Sequence, residues 1–239
     1  MLRNTSFFML VVFLIHSTNA TGQTGNLSLS LQEMTSTNGI NVKNQSWALA
    51  GATKENTVGS PYFLDNWAKG DVLFKNKTFV PEPDAILNYD KMHKKLILKK
   101  SGTEVLEIDM SGIRSFHLQA NQKTYNFLLI DSSSADFALE VYKNNHYSLY
   151  KIINTKFFKA DFVSRGIETS GYKYDRYVDE NTWYIFQGDK NLVSFTDVNR
   201  ASLKKVREAI PKSKSFLAEN EPDDYKESYL IKLVDFLDK

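Results

Sequence analysis

Short segments rich in apolar, β-branched and aromatic residues fill most of the chain between residues 61 and 198. Each segment has the length of a strand, and turn residues separate the segments. The connections are short, whereas parallel pairing needs a crossover of about a dozen residues. The pattern therefore predicts a mainly antiparallel β meander over 61–198, forming a curved sheet or a partly closed barrel.

Two β-hairpins stand out within this region. Residues 72–74 and 78–80 flank Asn76, a residue type that tolerates the left-handed conformation of tight turns. Residues 86–89 and 95–99 flank a polar turn. Further strands are predicted at 105–108, 113–118, 125–130, 137–142, 146–158, 174–178, 182–186 and 192–195, with 179–181 as a polar loop.

The hydrophobic spacing changes to a helical period after residue 198. The apolar stripes are Leu203, Val206 and Ile210, and then Tyr225, Tyr229, Leu233 and Leu237. Pro211 ends the first stripe, and Pro222 suits the first turn of the second helix. Because both stripes need an apolar surface to cover, we expect two C-terminal helices over 199–239 to pack on the sheet as part of the same domain, an α+β arrangement.

The N-terminus has the three-part pattern of a secretory signal peptide over residues 1–20. Arg3 is followed by an uncharged apolar run and by small residues before Ala20. The run is shorter than the roughly 20 residues that a membrane-spanning helix needs. We therefore expect cleavage near Ala20, export to the periplasm or the cell surface, and no transmembrane segment in the mature chain. Residues 21–60 are expected to form an N-terminal strand and a polar loop or linker.

Several aromatic and glycine positions are similar to those of an uncharacterised family of exported proteins of Bacteroidota. The residues that carry the resemblance are the run 59–64, Trp67, Gly70 and the turn 88–90. The likeness extends through 137–150 and 172–186 to the C-terminal helices, and residues 21–58 lie outside it. The resemblance implies an envelope location and supplies no catalytic residues.

Composition excludes several classes of function. The chain contains no cysteine, which excludes disulfides, thiolate catalysis and iron–sulfur ligation. Thirty basic and 28 acidic residues leave a net charge of +2, so no nucleic-acid partner is expected. The sequence contains no glycine-rich phosphate loop and no metal-ligand spacing among its histidines, so neither a cofactor nor a metal site is predicted.

The least arbitrary candidate for a binding site is an aromatic and acidic segment over 172–186. Its members are Tyr172, Tyr174, Asp175, Glu180 and Trp183. Aromatic rings cover the apolar faces of sugars, and carboxylates bond sugar hydroxyls or transfer protons in glycoside cleavage. The commoner origin of such a segment is structural, because Tyr and Trp are favoured in strands and 179–181 is typical of a turn.

A second candidate for a binding site is a cluster of lysine residues. It comprises Lys91, Lys94, Lys95, Lys99 and Lys100. The favoured interpretation is a solvated hairpin edge that lysines protect against aggregation. The alternative is a patch that binds anionic glycans or lipid head groups.

These patterns favour an exported, non-enzymatic envelope protein with a binding or scaffolding role, whose partner is an envelope protein or a glycan. The alternative is a secreted polysaccharide-acting hydrolase or a carbohydrate-binding protein that uses the segment 172–186, with Asp175 or Glu180 as acid or base. No catalytic residue is assigned.

Overall fold

The computed structural model describes residues 56–74, 86–99, 105–131, 136–166, 168–222 and 225–239, together with the backbone of 42–43 and 77–79. The strands are β1 (Val42–Lys43), β2 (Lys69–Phe74), β3 (Lys77–Phe79), β4 (Ile86–Asp90), β5 (Lys95–Lys99), β6 (Val105–Ile108), β7 (Ile113–Ala120), β8 (Lys123–Leu129), β9 (Phe137–Lys143), β10 (Tyr147–Phe158), β11 (Val163–Arg165), β12 (Glu168–Ser170), β13 (Arg176–Gln187) and β14 (Lys190–Phe195). The helices are α1 (Arg200–Ala209), α2 (Ser213–Glu219) and α3 (Glu227–Leu237). The predicted signal peptide and the first predicted strand lie outside the described residues.

The strands form one large sheet, one small sheet and a separate hairpin. The large sheet is antiparallel and has the order β14-β13-β10-β9-β8-β7-β2-β3. The small sheet has the order β1-β6-β5-β4, and β11 pairs with β12. The large sheet ends at β14 and β3, which do not pair with each other in the described part of the chain, so it is an open sheet and is not closed into a barrel.

The strands β4, β5 and β6 of the small sheet lie in the chain between β3 and β7 of the large sheet, which are on opposite sides of β2. The chain leaves the large sheet after β3, forms β4, β5 and β6, and returns as β7 beside β2. From β7 to β10, each strand pairs with its predecessor through a short connection. This succession is the antiparallel meander that short connections favour.

One face of the large sheet carries a continuous row of large side chains. The row crosses β7, β8, β9, β10 and β13 at Phe116, Phe127, Leu139, Lys151 and Trp183, which are cross-strand partners in register. Directly opposed residues point to the same face of a sheet. The small sheet covers the β7 and β8 end of this row, where the Tyr89 ring lies 5.3 Å from the Phe116 ring and 5.1 Å from the Phe127 ring, centroid to centroid.

The helices cover the other end of the same face. Leu149, Trp183 and Ile185 of the sheet form a core with Val206 of α1 and with Leu230 and Leu233 of α3. Asn199 begins α1 with a capping box, since its side chain accepts a hydrogen bond from the Ser202 amide at 2.9 Å and its own amide donates to the Ser202 hydroxyl oxygen at 2.9 Å. The small sheet and the helices therefore share one supporting sheet and bury different ends of it.

The structure confirms the α+β class predicted from the sequence. α1 ends before Pro211, and α3 contains Tyr229, Leu233 and Leu237 of the predicted stripe. The prediction that Pro222 and Tyr225 belong to this helix is wrong, because α3 begins at Glu227. A third helix, the short α2, lies between them and was not predicted, because seven residues show too few turns for a helical period to be recognised. In the part of the chain that the structure describes, no helix is long and apolar enough to cross a membrane.

Two local predictions are wrong. Residues 179–181 are not a loop, because β13 pairs with β10 in unbroken register from Tyr147–Gln187 to Phe158–Arg176. The basic turn between β4 and β5 is not a fully solvated edge. Lys91 is buried with its ammonium group on the Asp179 carboxylate, and the half-buried Lys94 donates to the Ile153 carbonyl. The turn instead attaches the small sheet to β10 and β13.

Candidate functional site

The ends of β10 and β13 form an exposed projection that carries unusual apolar surface. We call residues 156–176 the arm. Every described residue from 156 to 174 is exposed. Among all described residues, eight large hydrophobic side chains are exposed, and six of them belong to the arm. These six are Phe157, Phe158, Phe162, Val163, Tyr172 and Tyr174.

The geometry of the arm follows from the length of its two strands. β10 and β13 each have 12 residues and remain paired up to Phe158 and Arg176. Beyond this pair, the chain makes the small hairpin β11–β12 and returns, with the Asp161 amide donating to the Tyr172 carbonyl at 3.1 Å. The Tyr172 amide donates to Oδ1 of Asp161 at 2.7 Å. These two hydrogen bonds therefore hold the two chain segments of the arm together at Asp161 and Tyr172.

Arg176 organises the rings on one side of the arm. Its guanidinium carbon lies 3.3 Å from the centroid of the Tyr172 ring and 5.0 Å from that of Phe158. A guanidinium that stacks on aromatic faces gains cation–π attraction and keeps the rings in a fixed spacing. On the same arm, the Lys173 ammonium lies 5.2 Å from the centroid of Phe162. The exposed surface is thus a mixed array of aromatic rings and cations.

A shallow depression of about 270 Å³ lies beside this array. It is lined by Asn56, Thr57, Ala160, Lys173, Tyr174 and Asp175. The Ala160 amide donates to Oδ1 of Asp175 at 2.8 Å, which orients the carboxylate. The lining offers one aromatic ring together with amide, hydroxyl, ammonium and carboxylate groups. Such a combination can stack on an apolar face and bond several hydroxyl groups of one ligand.

The five residues predicted as a site from the sequence are divided between the arm and the core. Tyr172, Tyr174 and Asp175 lie together on the arm. Glu180 lies within β13, exposed, with its carboxylate 2.7 Å from the Lys156 ammonium. Trp183 is only 5% exposed, packs in the core under the helices and has the Lys151 ammonium 5.1 Å from its ring centroid. The structure does not bring all five residues to one cleft.

The sequence predicts no binding role for three of the five exposed aromatic rings of the arm, or for Arg176. The three rings are those of Phe157, Phe158 and Phe162, and phenylalanine in a β-rich segment is expected to be buried. A signal was present in the run 156–163, where Phe157 and Phe158 are adjacent. Adjacent positions on a strand point to opposite faces, so at least one of the two rings had to lie away from the core.

A smaller cavity of about 60 Å³ lies beside the turn between β4 and β5. Tyr62, Asp90, His93 and Tyr177 contribute to its lining, and Nδ1 of His93 lies 2.8 Å from Oδ2 of Asp90. Oδ1 of Asp90 also accepts hydrogen bonds from the amides of Met92 and His93. Burial, followed by the nearby charge of Asp90, raises the pKa of both Tyr62 and Tyr177. The carboxylate therefore holds the turn, and the two phenols stay protonated.

Neither a metal-binding group among the described residues nor a similar known protein points to a function. Among the described residues, no group of three or more His, Asp or Glu side chains could hold a metal ion. Comparison of the chain with protein-family models, with curated proteins and with solved structures gives no match. A proposal for function therefore depends on the arm and its surroundings.

Proposed function

We propose that this chain is an exported, non-enzymatic binding protein of the bacterial envelope, and that the arm is its binding surface. The observation that carries the proposal is the concentration of exposed aromatic side chains on one rigid projection. The signal-peptide pattern of residues 1–20 and the resemblance to exported proteins of Bacteroidota support the location.

Exposed apolar surface on this scale needs a reason, because it favours aggregation unless a partner covers it. Tyr and Arg are enriched among the residues that dominate binding energy at interfaces. The arm presents Tyr172, Tyr174 and Arg176 on a paired base, with Arg176 stacked on a ring. A pre-ordered surface loses less conformational entropy on binding than a flexible one. The arm thus combines the composition and the rigidity of a recognition surface.

A glycan is the partner class that the depression beside the arm favours. The exposed Tyr174 ring lies next to the Asp175 carboxylate and the Asn56 amide, which suits a sugar ring with its hydroxyl groups. Cleavage of the glycan needs a second carboxylate across the bond. Asp175 is the single carboxylate among the described lining residues, and Glu180 is paired with Lys156. Binding without cleavage is therefore better supported than hydrolysis.

The test compares an arm variant with a matched control. The chain is purified after export, and its retention on isolated bacterial envelopes and on a glycan panel is measured. Tyr172→Ser combined with Tyr174→Ser should weaken retention by about tenfold or more. Met92→Ser, which alters a similarly exposed hydrophobic residue outside the arm, should leave retention unchanged. Equal retention of the arm variant and the wild type would contradict the proposal.

Two further readouts address the remaining parts of the proposal. Mass spectrometry of the exported chain should find an N-terminus directly after Ala20, and retention of Met1 would contradict signal-peptide cleavage. Release of reducing ends from the bound glycan is measured in parallel. If the protein releases reducing ends and Glu180→Gln abolishes this activity, the protein is a hydrolase and the proposed binding role is wrong.

A further inference from the structure

A cavity of about 350 Å³ lies beside α1, apart from the arm, and its wall is completed by Leu217 of α2, by Pro222 and Tyr225, and by Tyr229 of α3. Arg200, Lys204 and Arg207 contribute to its wall, and they follow one another at helical spacing on a single stripe of α1. Side chains at these spacings are neighbours on a helix surface, and like charges there repel. The three cations therefore create a positive electrostatic potential at the wall of the cavity.

Within the described ranges of the chain, only one of the three cations has an ion-pair partner. Nη2 of Arg200 lies 2.8 Å from Oε1 of Glu221. Lys204 and Arg207 have no hydrogen bond or ion pair among the residues that the structure describes. Glu221 therefore offsets the charge of Arg200, whereas Lys204 and Arg207 are available to a ligand.

Most of the rest of the cavity wall is apolar or aromatic, and Glu221, the partner of Arg200, is the single carboxylate among the described lining residues. Leu203 and Tyr229 are buried, and Leu217 and Tyr225 are half-buried. The Tyr229 hydroxyl donates to the Asn220 carbonyl at 2.7 Å, which fixes the ring at the base of the cavity. Cavities of this size, with apolar walls and a few convergent polar groups, are typical of small-molecule sites. The base is preformed, so binding does not require it to be ordered.

We propose that this cavity binds a small molecule in which a phosphate or carboxylate group is attached to an apolar body. The oxyanion lies between Lys204 and Arg207, and the apolar body covers Leu203, Leu217 and the ring of Tyr225. A guanidinium can grip an oxyanion through two parallel hydrogen bonds, and an ammonium adds a point charge. The binding site is distinct from the arm, and it does not depend on the function proposed for the arm.

The probe for this site is phenyl phosphate, titrated into the full chain and followed by calorimetry. Phenyl phosphate should bind at least about tenfold more tightly than inorganic phosphate, which lacks the apolar body, and than phenyl glucoside, which lacks the oxyanion. Lys204→Gln combined with Arg207→Gln should weaken phenyl phosphate binding by about tenfold to a hundredfold. Lys205→Gln removes the same charge from the same helix, away from the cavity lining, and should change the affinity less than about twofold.

Tyr172→Ser in the arm should leave phenyl phosphate binding unchanged, which separates this site from the arm. Phosphatidylglycerol and phosphatidylcholine vesicles distinguish the sources of the anion. Sedimentation with the former alone, lost in the Lys204 and Arg207 double variant, indicates a lipid head group. Binding of phenyl phosphate without sedimentation indicates a soluble ligand. Equal affinity in the double variant and in Lys205→Gln, or no binding to the wild type at about 10 mM probe, would overturn the proposal.

Discussion

The ammonium of Lys91 lies 2.9 Å from Oδ1 and 2.8 Å from Oδ2 of Asp179, although 88 residues separate them in the chain. Lys91 belongs to the turn between β4 and β5 of the small sheet, and Asp179 belongs to β13 of the large sheet. Thr155 on β10 donates its hydroxyl to the same carboxylate at 2.6 Å. One carboxylate therefore connects the small sheet to the base of the arm.

We expect Lys91→Ala to lower the free energy of unfolding by about 1–3 kcal/mol, because the Lys91 side chain is only 9% exposed and its loss removes a charge-assisted bond at a packed junction. Lys156→Ala is the matched control. The side chains of Lys156 and Glu180 are both more than half exposed, so their ion pair should contribute at most about 0.5 kcal/mol. Urea denaturation of both variants measures the difference. Equal losses would show that Lys91 does not tie the sheets together.

Tyr89 should make the protein sensitive to alkaline pH. Its ring is buried and its hydroxyl has no hydrogen-bond partner among the described residues. Burial, followed by the charges of Asp136 and Asp90, raises the pKa of Tyr89 above its ordinary value of 10.0. Below pH 10 both the folded and the unfolded state keep the proton. Above pH 10 the unfolded state loses it first, so stability falls as the pH rises.

Tyr89→Phe should reduce the alkaline slope of stability by up to about 1.4 kcal/mol per pH unit. At neutral pH the variant should be as stable as the wild type or more stable, because it removes an unpaired buried hydroxyl. Denaturation series between pH 7 and pH 11 test both points, with Tyr125→Phe at a half-buried position as the control. An unchanged alkaline slope in Tyr89→Phe would contradict the expectation.

Substitution of Trp183 should strongly destabilise the folded protein, whereas substitution of Tyr172 should leave its stability almost unchanged. Trp183→Ala should lower the free energy of unfolding by about 3–5 kcal/mol, because the indole fills the core between the sheet and the helices. Tyr172→Ala should change it by less than about 0.5 kcal/mol, since the side chain is 54% exposed. Chemical denaturation measures both values. A large stability loss for Tyr172→Ala would assign its ring to the structure rather than to binding.

Gly70 should not tolerate a side chain. A Cβ atom at this position on β2 would lie 2.0 Å from the His117 carbonyl oxygen of the paired strand β7. That oxygen belongs to the sheet backbone and cannot move aside, so Gly70→Ala should cost about 1–3 kcal/mol or more. Gly188→Ala has open space around it and should cost about 1 kcal/mol for its positive φ. The midpoints of thermal unfolding rank the two variants, and a smaller loss for Gly70→Ala would contradict the proposed clash.

The elements of this fold were predictable because their signals are local. Two strand-length apolar segments on either side of a polar turn identified the hairpin strands β4 and β5, and a repeat of apolar residues ending at Pro211 identified α1. Local spacing is enough in such cases, because the period of the side chains is a property of the strand or the helix itself. The same reasoning left α2 unpredicted and divided β13 into two strands.

The sequence by itself determined the fold class, most of the strands and the apolar stripe of α1, since each depends on neighbours along the chain. Only the tertiary structure decided that β7 lies beside β2, that Lys91 is buried on Asp179, and that Trp183 belongs to the core while Tyr172 is exposed. These outcomes depend on which distant segment covers each face of the sheet. Pairing between residues 88 positions apart leaves no periodic signal, because it results from the packing of whole sheets and helices.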